Sequence, residues 1–388
     1  MTTQTPKVTF LVPDISSPIL GAATVFATAL QKHGPVEIVG PDFGDGVCPM
    51  YRGAFDYKTI PTPRMYRFPE YFRDARRLAD AIRGDVIFSM KAFASTLPVA
   101  LRAKRERGCK VVAYLDEWDG ALHRQLPWGV RLRQNLASLH HPLDDAWYPR
   151  VEKLIPHADE VAASSSFLQR KFGGAILHMG ADTERFKPQP AEAVADLKRA
   201  LGLEGLKLVV FGGVVRPHKG VETLLDALAR LGDTSLRLLV VGPQTEHLNA
   251  LANKPACKPF LQCTGAQPKE KMPLYLDMAD LVALPLEDTL LAQSQVPCKV
   301  YEAMAMAKPV IASAVSDLPS ILEGCGWVVP SGDAPAMAAA IRFALDHPDD
   351  AADKGRRARE KCVRCYSRAV TERQLTGIVE RLMIARSM

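Results

Sequence analysis

Short runs of β-branched and other apolar residues alternate with amphipathic helical stretches along the whole chain, and this alternation limits the fold more than any other feature. The runs KVTFLV, VEIVG, DVIFSM, KVVAYLD, EVAAS and AILHM are followed by LKLVVFGG, LRLLVVG, FLQCTG, LVALP, PVIASA and GWVVP. Strands that are apolar throughout bury both faces, as they do in parallel sheets whose crossover helices cover each side. About six strands are expected in each half. With 388 residues, the chain is longer than one ordinary domain and fits two of roughly 150 to 200 residues. The alternation pauses in HMGADTERFKPQPAEAVADLKRALGLEG and restarts at Leu206, which places a domain boundary within 181–205. The last segment, SRAVTERQLTGIVERLMIARSM, reads as one more amphipathic helix, long enough to lie across the neighbouring domain. Parallel-sheet domains bind ligands outside the carboxyl ends of their strands, so two facing sheets would enclose a substrate cleft.

Composition narrows the class. Hydrophobic residues make up 47% and charged residues 24%, and no apolar run approaches the roughly 20 residues of a membrane span. MTTQTPKVTFLVPD has no charged region ahead of an apolar core, so an unprocessed, cytoplasmic chain is expected. The eight cysteines are scattered without paired CxxC blocks, which fits free thiols rather than a zinc site; Cys362 and Cys365 fall within a helical pattern. The net charge of +6 is uneven: residues 1–180 hold 23 Lys and Arg against 18 Asp and Glu, and the remainder holds 26 against 25. Much of the excess lies in RMYRFPEYFRDARRLADAIRG and LRAKRERGCK. Two readings stay open for these segments, a solvated face of two helices or contact with an anionic membrane or anionic acceptor. Their basic residues match no nucleic-acid recognition motif.

Candidate chemistry sits in loops that follow strands. After LKLVVF comes GGVVRPHKG and then the helix VETLLDALARLG. Gly212 and Gly213 let the backbone approach a ligand, while Arg216 and Lys219 stand where they can neutralise phosphate oxygens. About eighty residues on, PCKVYEAMAMAKPVIAS places Lys299 and Glu302 three apart near a helix N-terminus, on one face, where backbone N–H groups are unpaired. That pattern suits a ligand with both negative charge and hydroxyls. In the first half, EWDGALHRQ concentrates Asp116, Glu117, Asp119 and His123 after the strand KVVAYLD. Such carboxylates either orient an acceptor hydroxyl or form a loop salt-bridged to Arg124, Arg131 and Arg133.

The stretches GGVVRPHKGVETLLDAL, LLVVGP, TGAQPKEKMPLYLDMADLVALP and PCKVYEAMAMAKPVIASAVSDLPSIL resemble the consecutive motifs of family 4 of the GT-B glycosyltransferases, the glycosyl transferases of group 1. HMGADTERFKP is similar to their interdomain segment. The likeness is close over 176–330 and extends to the first domain only in the order of strands and helices. It implies an α/β chain of two Rossmann-like domains facing each other across a cleft, the GT-B arrangement. Residues 1–182 would bind the acceptor, 183–366 the nucleotide-sugar, and 367–388 would form a helix packing back on the first domain. By this resemblance Glu302 accepts hydrogen bonds from ribose hydroxyls, and the helix N-terminus at 297–299 faces the diphosphate or hexose. Lys219 and Arg216 hold the diphosphate, and the backbone of Gly265, Ala266 and Gln267 holds the base. In the first domain the loop after strand one, PDISSPILG, brings small residues near donor and acceptor, with Ser16, Ser17 and Gly21 as candidates.

Three positions depart from the family pattern. Ser294 stands where the first glutamate of a Glu-x7-Glu pair is usual, so a sugar-contacting carboxylate is replaced and Lys299 takes over part of that site. Arg216 is three residues before Lys219, whereas the usual basic residue would fall on Val214. Ala307 replaces a glycine after the Glu302 helix and alters the turn. The expectation is a retaining, hexosyltransferase-type enzyme of glycan biosynthesis. It would move sugar from a UDP-, GDP- or similar nucleotide-sugar to a glycan, lipid-linked or small-molecule acceptor, with no metal and no further cofactor, peripheral at the inner face of a membrane. Asp119 and Glu117 join Lys219 and Arg216 as its catalytic candidates. A nucleotide-sugar epimerase of the same plan and a noncatalytic nucleotide-sugar-binding protein are the alternatives.

Overall fold

Each apolar run forms a strand, and all pairings between strands are parallel. The computed structural model describes residues 5–387. Contacts divide the chain into two units, one of residues up to Met179 together with those from Ala369 on, the other Gly180–Arg368. In the first unit β1 (Val8–Leu11), β2 (Val36–Asp42), β3 (Tyr57–Pro61), β4 (Val86–Met90), β5 (Lys110–Leu115), β6 (Glu160–Ala163) and β7 (Ala175–Ile176) form a sheet of order β3-β2-β1-β4-β5-β6-β7. In the second, β8 (Lys207–Gly212), β9 (Leu236–Val241), β10 (Leu261–Cys263), β11 (Leu281–Leu284), β12 (Val310–Ser313) and β13 (Trp327–Val329) form the order β10-β9-β8-β11-β12-β13. The chain therefore has the two Rossmann-like parallel sheets of the GT-B class.

The first sheet has one strand more than expected. β3 lies at the edge, paired only with β2, and its residues are half-buried or exposed, so YKTIP lacks the continuous apolar signature of the inner strands.

Alternate residues of the inner strands feed two cores. Phe10, Phe88 and Tyr114 belong to one face of the first sheet; Leu11, Ile87 and Ala113 belong to the other. Phe10 and Phe88 are register partners and stack with centroids 5.0 Å apart. The C-terminal helix Arg368–Ser387 adds Leu375, Ile378, Val379 and Leu382 to the core that contains Phe10. In the second unit Val210 and Leu239 face one core while Val209 and Leu238 face the other.

In each sheet the strand order reverses between two neighbours, β1 and β4 in the first and β8 and β11 in the second. Connections leave these neighbours toward opposite faces, which opens a crevice at their carboxyl ends.

The helix Cys298–Ala305 closes with Lys308 N donating to Ala303 O and Ala307 N to Met304 O. This is a Schellman ending, whose left-handed position favours glycine. Ala307 occupies it at φ 55°, a conformation costing an L-residue roughly 1–2 kcal/mol. Glycine there would relieve that strain and lose about 0.4–1 kcal/mol of it to greater unfolded-state freedom. Ala307→Gly should therefore leave the thermal midpoint unchanged or raise it slightly; a clear fall would show that the alanine methyl contributes packing that outweighs the strain.

Candidate functional site

The second unit assembles its polar residues at the β8/β11 reversal. β8 ends at Gly212, and the chain turns through Gly213 at φ 131° before the short 3-10 turn Pro217–Lys219. Gly220 then starts the helix Val221–Leu231 in the left-handed region, at φ 66°. A Cβ on Gly220 would lie 1.7 Å from the Pro285 carbonyl oxygen, so only glycine lets the loop after β8 approach the loop after β11 this closely. Two bonds hold the loops together: Glu287 N donates to His218 O at 3.1 Å, and Thr223 Oγ1 donates to Glu287 Oε1 at 2.9 Å.

This arrangement carries Lys219 to the segment before the Glu302 helix, where its Nζ donates to Gln295 Oε1 at 3.0 Å. Lys299 Nζ pairs with Glu302 Oε2 at 3.0 Å, and a methyl group on Gly213 would lie 3.8 Å from Lys299 Cε. The two stretches picked out in sequence thus meet at Gly213–Lys299 and Lys219–Gln295. Gly212 is buried, with Met272 against its α-carbon face. Arg216 is exposed on the same loop.

Gly265, at φ 73°, Ala266 and Gln267 follow β10, and Gln267 Nε2 donates to Thr264 O at 2.8 Å. Two residues beyond is Lys269. Although the residue is exposed overall, desolvation of its ammonium pulls it below the ordinary lysine range; Glu302 opposes this, while Arg368, Arg185 and Lys299 reinforce it. Lys269 therefore belongs to the electrostatic neighbourhood of Glu302, a place sequence reasoning missed. The available signal was its position directly after the Gly265–Gln267 loop.

Ser294 does not join this group through an open side chain. It is fully buried at the end of the helix Leu290–Ser294, and its hydroxyl donates to Leu291 O at 2.8 Å. The small serine fits a packed helix end where a glutamate would have to leave the core.

The acidic loop of the first unit is organised by a residue the sequence reading did not single out. Lys91 follows β4 at φ 69° and is buried; its N–H donates to Tyr114 O, and its carbonyl accepts from Ser89 Oγ and Thr96 Oγ1. Its Nζ lies 3.3 Å from Asp116 Oδ1 and 2.8 Å from Asp119 Oδ1, and it also bonds Glu117. The register Met90↔Tyr114 explains the meeting, since both segments leave neighbouring strands at the same level. Arg124 is not the partner: it pairs with Glu152 at 3.1 Å, which also accepts from Trp118 Nε1. His123 is buried and faces Gln134 at 3.3 Å, away from any role among these carboxylates. Gly21 lies in the first turn of the helix Leu20–Leu30, where Tyr51 occupies the space a Cβ would need. Ser16 donates to Asp14, and Ser17 accepts from Ile19 N, so both serines organise the loop after β1.

Burial alone would depress the Lys91 ammonium, but attraction to Asp116, Asp119 and Glu117 outweighs it and holds the group well above the ordinary lysine value. Three carboxylates against one cation leave an excess of negative charge. Desolvation and this repulsion outweigh Lys91 and push Asp119 up to about 7; Asp116 is raised for the same reasons.

Comparison with known proteins shows what the chain is similar to. The family model for the glycosyl transferases of group 1 matches residues 205–347. Over these residues the second unit is similar to the group 1 glycosyltransferases. The chain is 26% identical over 249 residues to the putative colanic acid biosynthesis glycosyltransferase WcaL of Escherichia coli, covering 62% of this chain and 56% of that one. It is 30% identical over 244 residues to the GDP-mannose-dependent alpha-(1-6)-phosphatidylinositol monomannoside mannosyltransferase of Mycolicibacterium smegmatis, covering 58% and 64%. The chain thus spans between half and two thirds of the length of these relatives. Among solved structures, Anabaena Alr3699/HepE in complex with UDP aligns with a TM-score of 0.75 at 18% identity, covering 97% of this chain and all of that one. WaaG, a glycosyltransferase involved in lipopolysaccharide biosynthesis, aligns with a TM-score of 0.70 at 16% identity, covering 95% and 98%. The group 1 match contains Lys219, the Gly265–Gln267 loop, Lys299 and Glu302, and the GT-B fold extends through both units.

The raised Asp119 has a definite pH signature. Its folded-state value lies above the ordinary 3.8, so the folded chain holds the extra proton and stability falls as pH rises between 3.8 and about 7. Asp119→Asn removes that titration, so the variant should lose less stability than the parent across this window. Thermal midpoints measured against pH check it; parallel curves would exclude Asp119 as the titrating group.

Proposed function

We infer that the chain is a retaining glycosyltransferase that moves a sugar from a nucleotide-diphosphate sugar to an acceptor hydroxyl without a metal. The observation that carries this reading is the meeting of the loop bearing Lys219 with the segment bearing Lys299 and Glu302, through Lys219–Gln295 and Gly213–Lys299, at the β8/β11 reversal inside the group 1 match. A diphosphate and a vicinal diol need cations and a carboxylate acceptor side by side. Glu302 accepts from the ribose hydroxyls, the Gly265–Gln267 backbone holds the base, and Lys219 with Arg216 and Lys299 neutralises the diphosphate. As the C1–O bond to the β-phosphate breaks, these preorganised charges stabilise the leaving oxygens. The acceptor oxygen attacks C1 from the same face and its proton passes to the departing phosphate. Lys299 is suited to the sugar-side role vacated at Ser294, because its stem lies over Gly213.

The first unit is assigned the acceptor, through the loop bearing Gly21 and the Glu117 and Asp119 carboxylates. Lys91 fixes these carboxylates, so Glu117 and Asp119 act by orienting a hydroxyl rather than as freely moving bases. The acceptor class is a glycan, a lipid-linked saccharide or a small molecule. Relatives named as transferases support transfer over epimerisation, and the structures of Alr3699/HepE with UDP and with UDP-glucose support a nucleotide-sugar donor. The eight cysteines stand outside disulfides, which fits a cytoplasmic setting.

A panel of UDP-, GDP-, ADP- and dTDP-sugars tests the reading by thermal shift and nucleotide release. One member should stabilise the protein and release nucleotide when acceptor is added; no shift with any of them would overturn the assignment. Glu302→Gln should weaken donor binding by about tenfold or more, the loss expected of a charge-assisted hydrogen bond, with little change in unfolding midpoint. Lys219→Ala should lower turnover by about a hundredfold. Parental rates in that variant would move the diphosphate away from this loop.

A further inference from the structure

The helix Trp128–Ala137 is inside out. Helices of a water-soluble domain turn apolar residues inward and polar ones outward. Here Trp128, Leu132 and Leu136, continued by Leu139 just past the helix end, are spaced four, four and three apart and so share one face. Their exposures are 74%, 46%, 61% and 47%. The half-buried positions are Arg131, Gln134 and Asn135, with Gln134 meeting buried His123. No residue of this helix is buried.

The surroundings are cationic. From Gly120 to Leu143 there is no aspartate or glutamate, while Arg124, Arg131 and Arg133 fall within that stretch. Beneath the helix a cavity of about 230 Å³ is lined by Arg131, Arg150 and Lys153, together with Arg124, whose guanidinium is already paired with Glu152. The patch continues across two contacts: Phe68 N donates to His140 O, and His141 Nδ1 lies 3.3 Å from Tyr66 O. These bring exposed Tyr66, Arg64 and Arg67 alongside. By contrast, the Arg-rich helix Glu70–Ala81 buries Tyr71, Ala75, Leu78 and Ala79 in the core, so its arginines project from a helix whose apolar face is already used.

We propose that the 128–139 face is the element that enters an anionic phospholipid surface, with Trp128, Leu132, Leu136 and Leu139 in the acyl boundary and the arginine-lined cavity receiving a lipid phosphate. The pairing of an outward apolar stripe with Arg131, Arg133, Arg150 and Lys153, which form no ion pair among the described residues, selects an anionic amphiphile over a neutral apolar partner, which would leave those cations without a counter-charge. Among the described residues no helix is long and apolar enough to cross a membrane, so the contact is interfacial. The proposal deepens the transferase reading by placing its acceptor side at a lipid surface, and it rests on that reading only for this consequence.

Flotation with vesicles of phosphatidylcholine alone, and of phosphatidylcholine mixed with phosphatidylglycerol, tests it on the full chain. Binding should occur on the mixed vesicles, fall steeply with salt, and drop at least about tenfold in Leu132→Glu/Leu136→Glu and in Arg131→Gln/Arg133→Gln. The Arg73→Gln/Arg76→Gln/Arg77→Gln variant should keep most of it. Unchanged binding in the 132/136 variant, or equal binding to both vesicle types, would overturn the proposal. So would a dimer in sedimentation velocity that the 132/136 variant disperses, since the face would then cover a second copy. Donor-induced thermal shift measured on the same variants should stay at the parental value. Because vesicle binding is read without donor, loss of donor binding in every sample would count against the transferase reading and leave the membrane result standing.

Discussion

Two parallel sheets need crossover connections that return every strand in the same direction, and this single constraint places the polar chemistry of the molecule. Helices cover both faces, so the faces fill with alternate residues of the inner strands and admit no ligand. What remains for function is the edge where strands end, and it opens where the strand order reverses. In the second unit that point lies between β8 and β11, where Gly220 lets the two following loops touch and so brings Lys219 to Gln295. In the first it lies between β1 and β4. There Ser95 Oγ, from the loop after β4, donates to Pro13 O in the loop after β1, and Lys91 follows β4 directly.

The two strand-end clusters solve opposite electrostatic problems. Around Glu302, Lys299 is its ion-pair partner and Lys269 acts from nearby, while Arg185 and Arg368 are themselves paired with Glu270 and Asp182. With Lys219 on the facing loop, three lysines beside one carboxylate suit the diphosphate of the proposed donor. Around Lys91 carboxylates outnumber the cation, and the excess is relieved by holding a proton on the acidic side. A cluster of that kind can accept from a neutral hydroxyl but would repel a phosphate, which supports the proposed division of donor phosphate to one unit and acceptor hydroxyl to the other.

The fold was legible in the sequence wherever burial was complete. The inner strands of both sheets read directly as continuous apolar runs, and only the half-exposed edge strand β3 escaped. The two segments proposed to hold the donor, Gly212–Lys219 and Pro297–Glu302, stand out in sequence as short motifs, and the structure brings them together through Gly213–Lys299. Lys91 was not legible, since it stands 25 residues before Asp116 and is joined to it only by strand register. Of the two readings of the acidic loop, the salt-bridged one named Arg124, Arg131 and Arg133 because they are near along the chain, while the fold supplies Lys91 as the cation and gives Arg124 to Glu152. Ser294 shows a further limit, because a substitution within a motif does not reveal whether the new side chain still reaches the ligand.

The 128–137 helix marks where periodicity stops being informative. Hydropathy gives the angle between apolar and polar faces but not which of them turns inward; a stripe of Trp128, Leu132 and Leu136 is ordinarily assigned to the core by default. The inward direction is fixed here by neighbours that the segment does not contain, His123 beneath Gln134 and the basic groups from 150–153 around Arg131. Polar groups on that side keep access to water through the cavity, so the inverted orientation avoids burying the Arg131 charge in an apolar core. The cost is an exposed apolar surface, and a contiguous surface of that kind rimmed by polar groups marks a place of contact with another surface. With arginines at its edges and no carboxylate in the stretch from Gly120 to Leu143 that holds the tryptophan and leucines, the covering surface that satisfies both the apolar stripe and the charge is one that presents hydrocarbon and phosphate together.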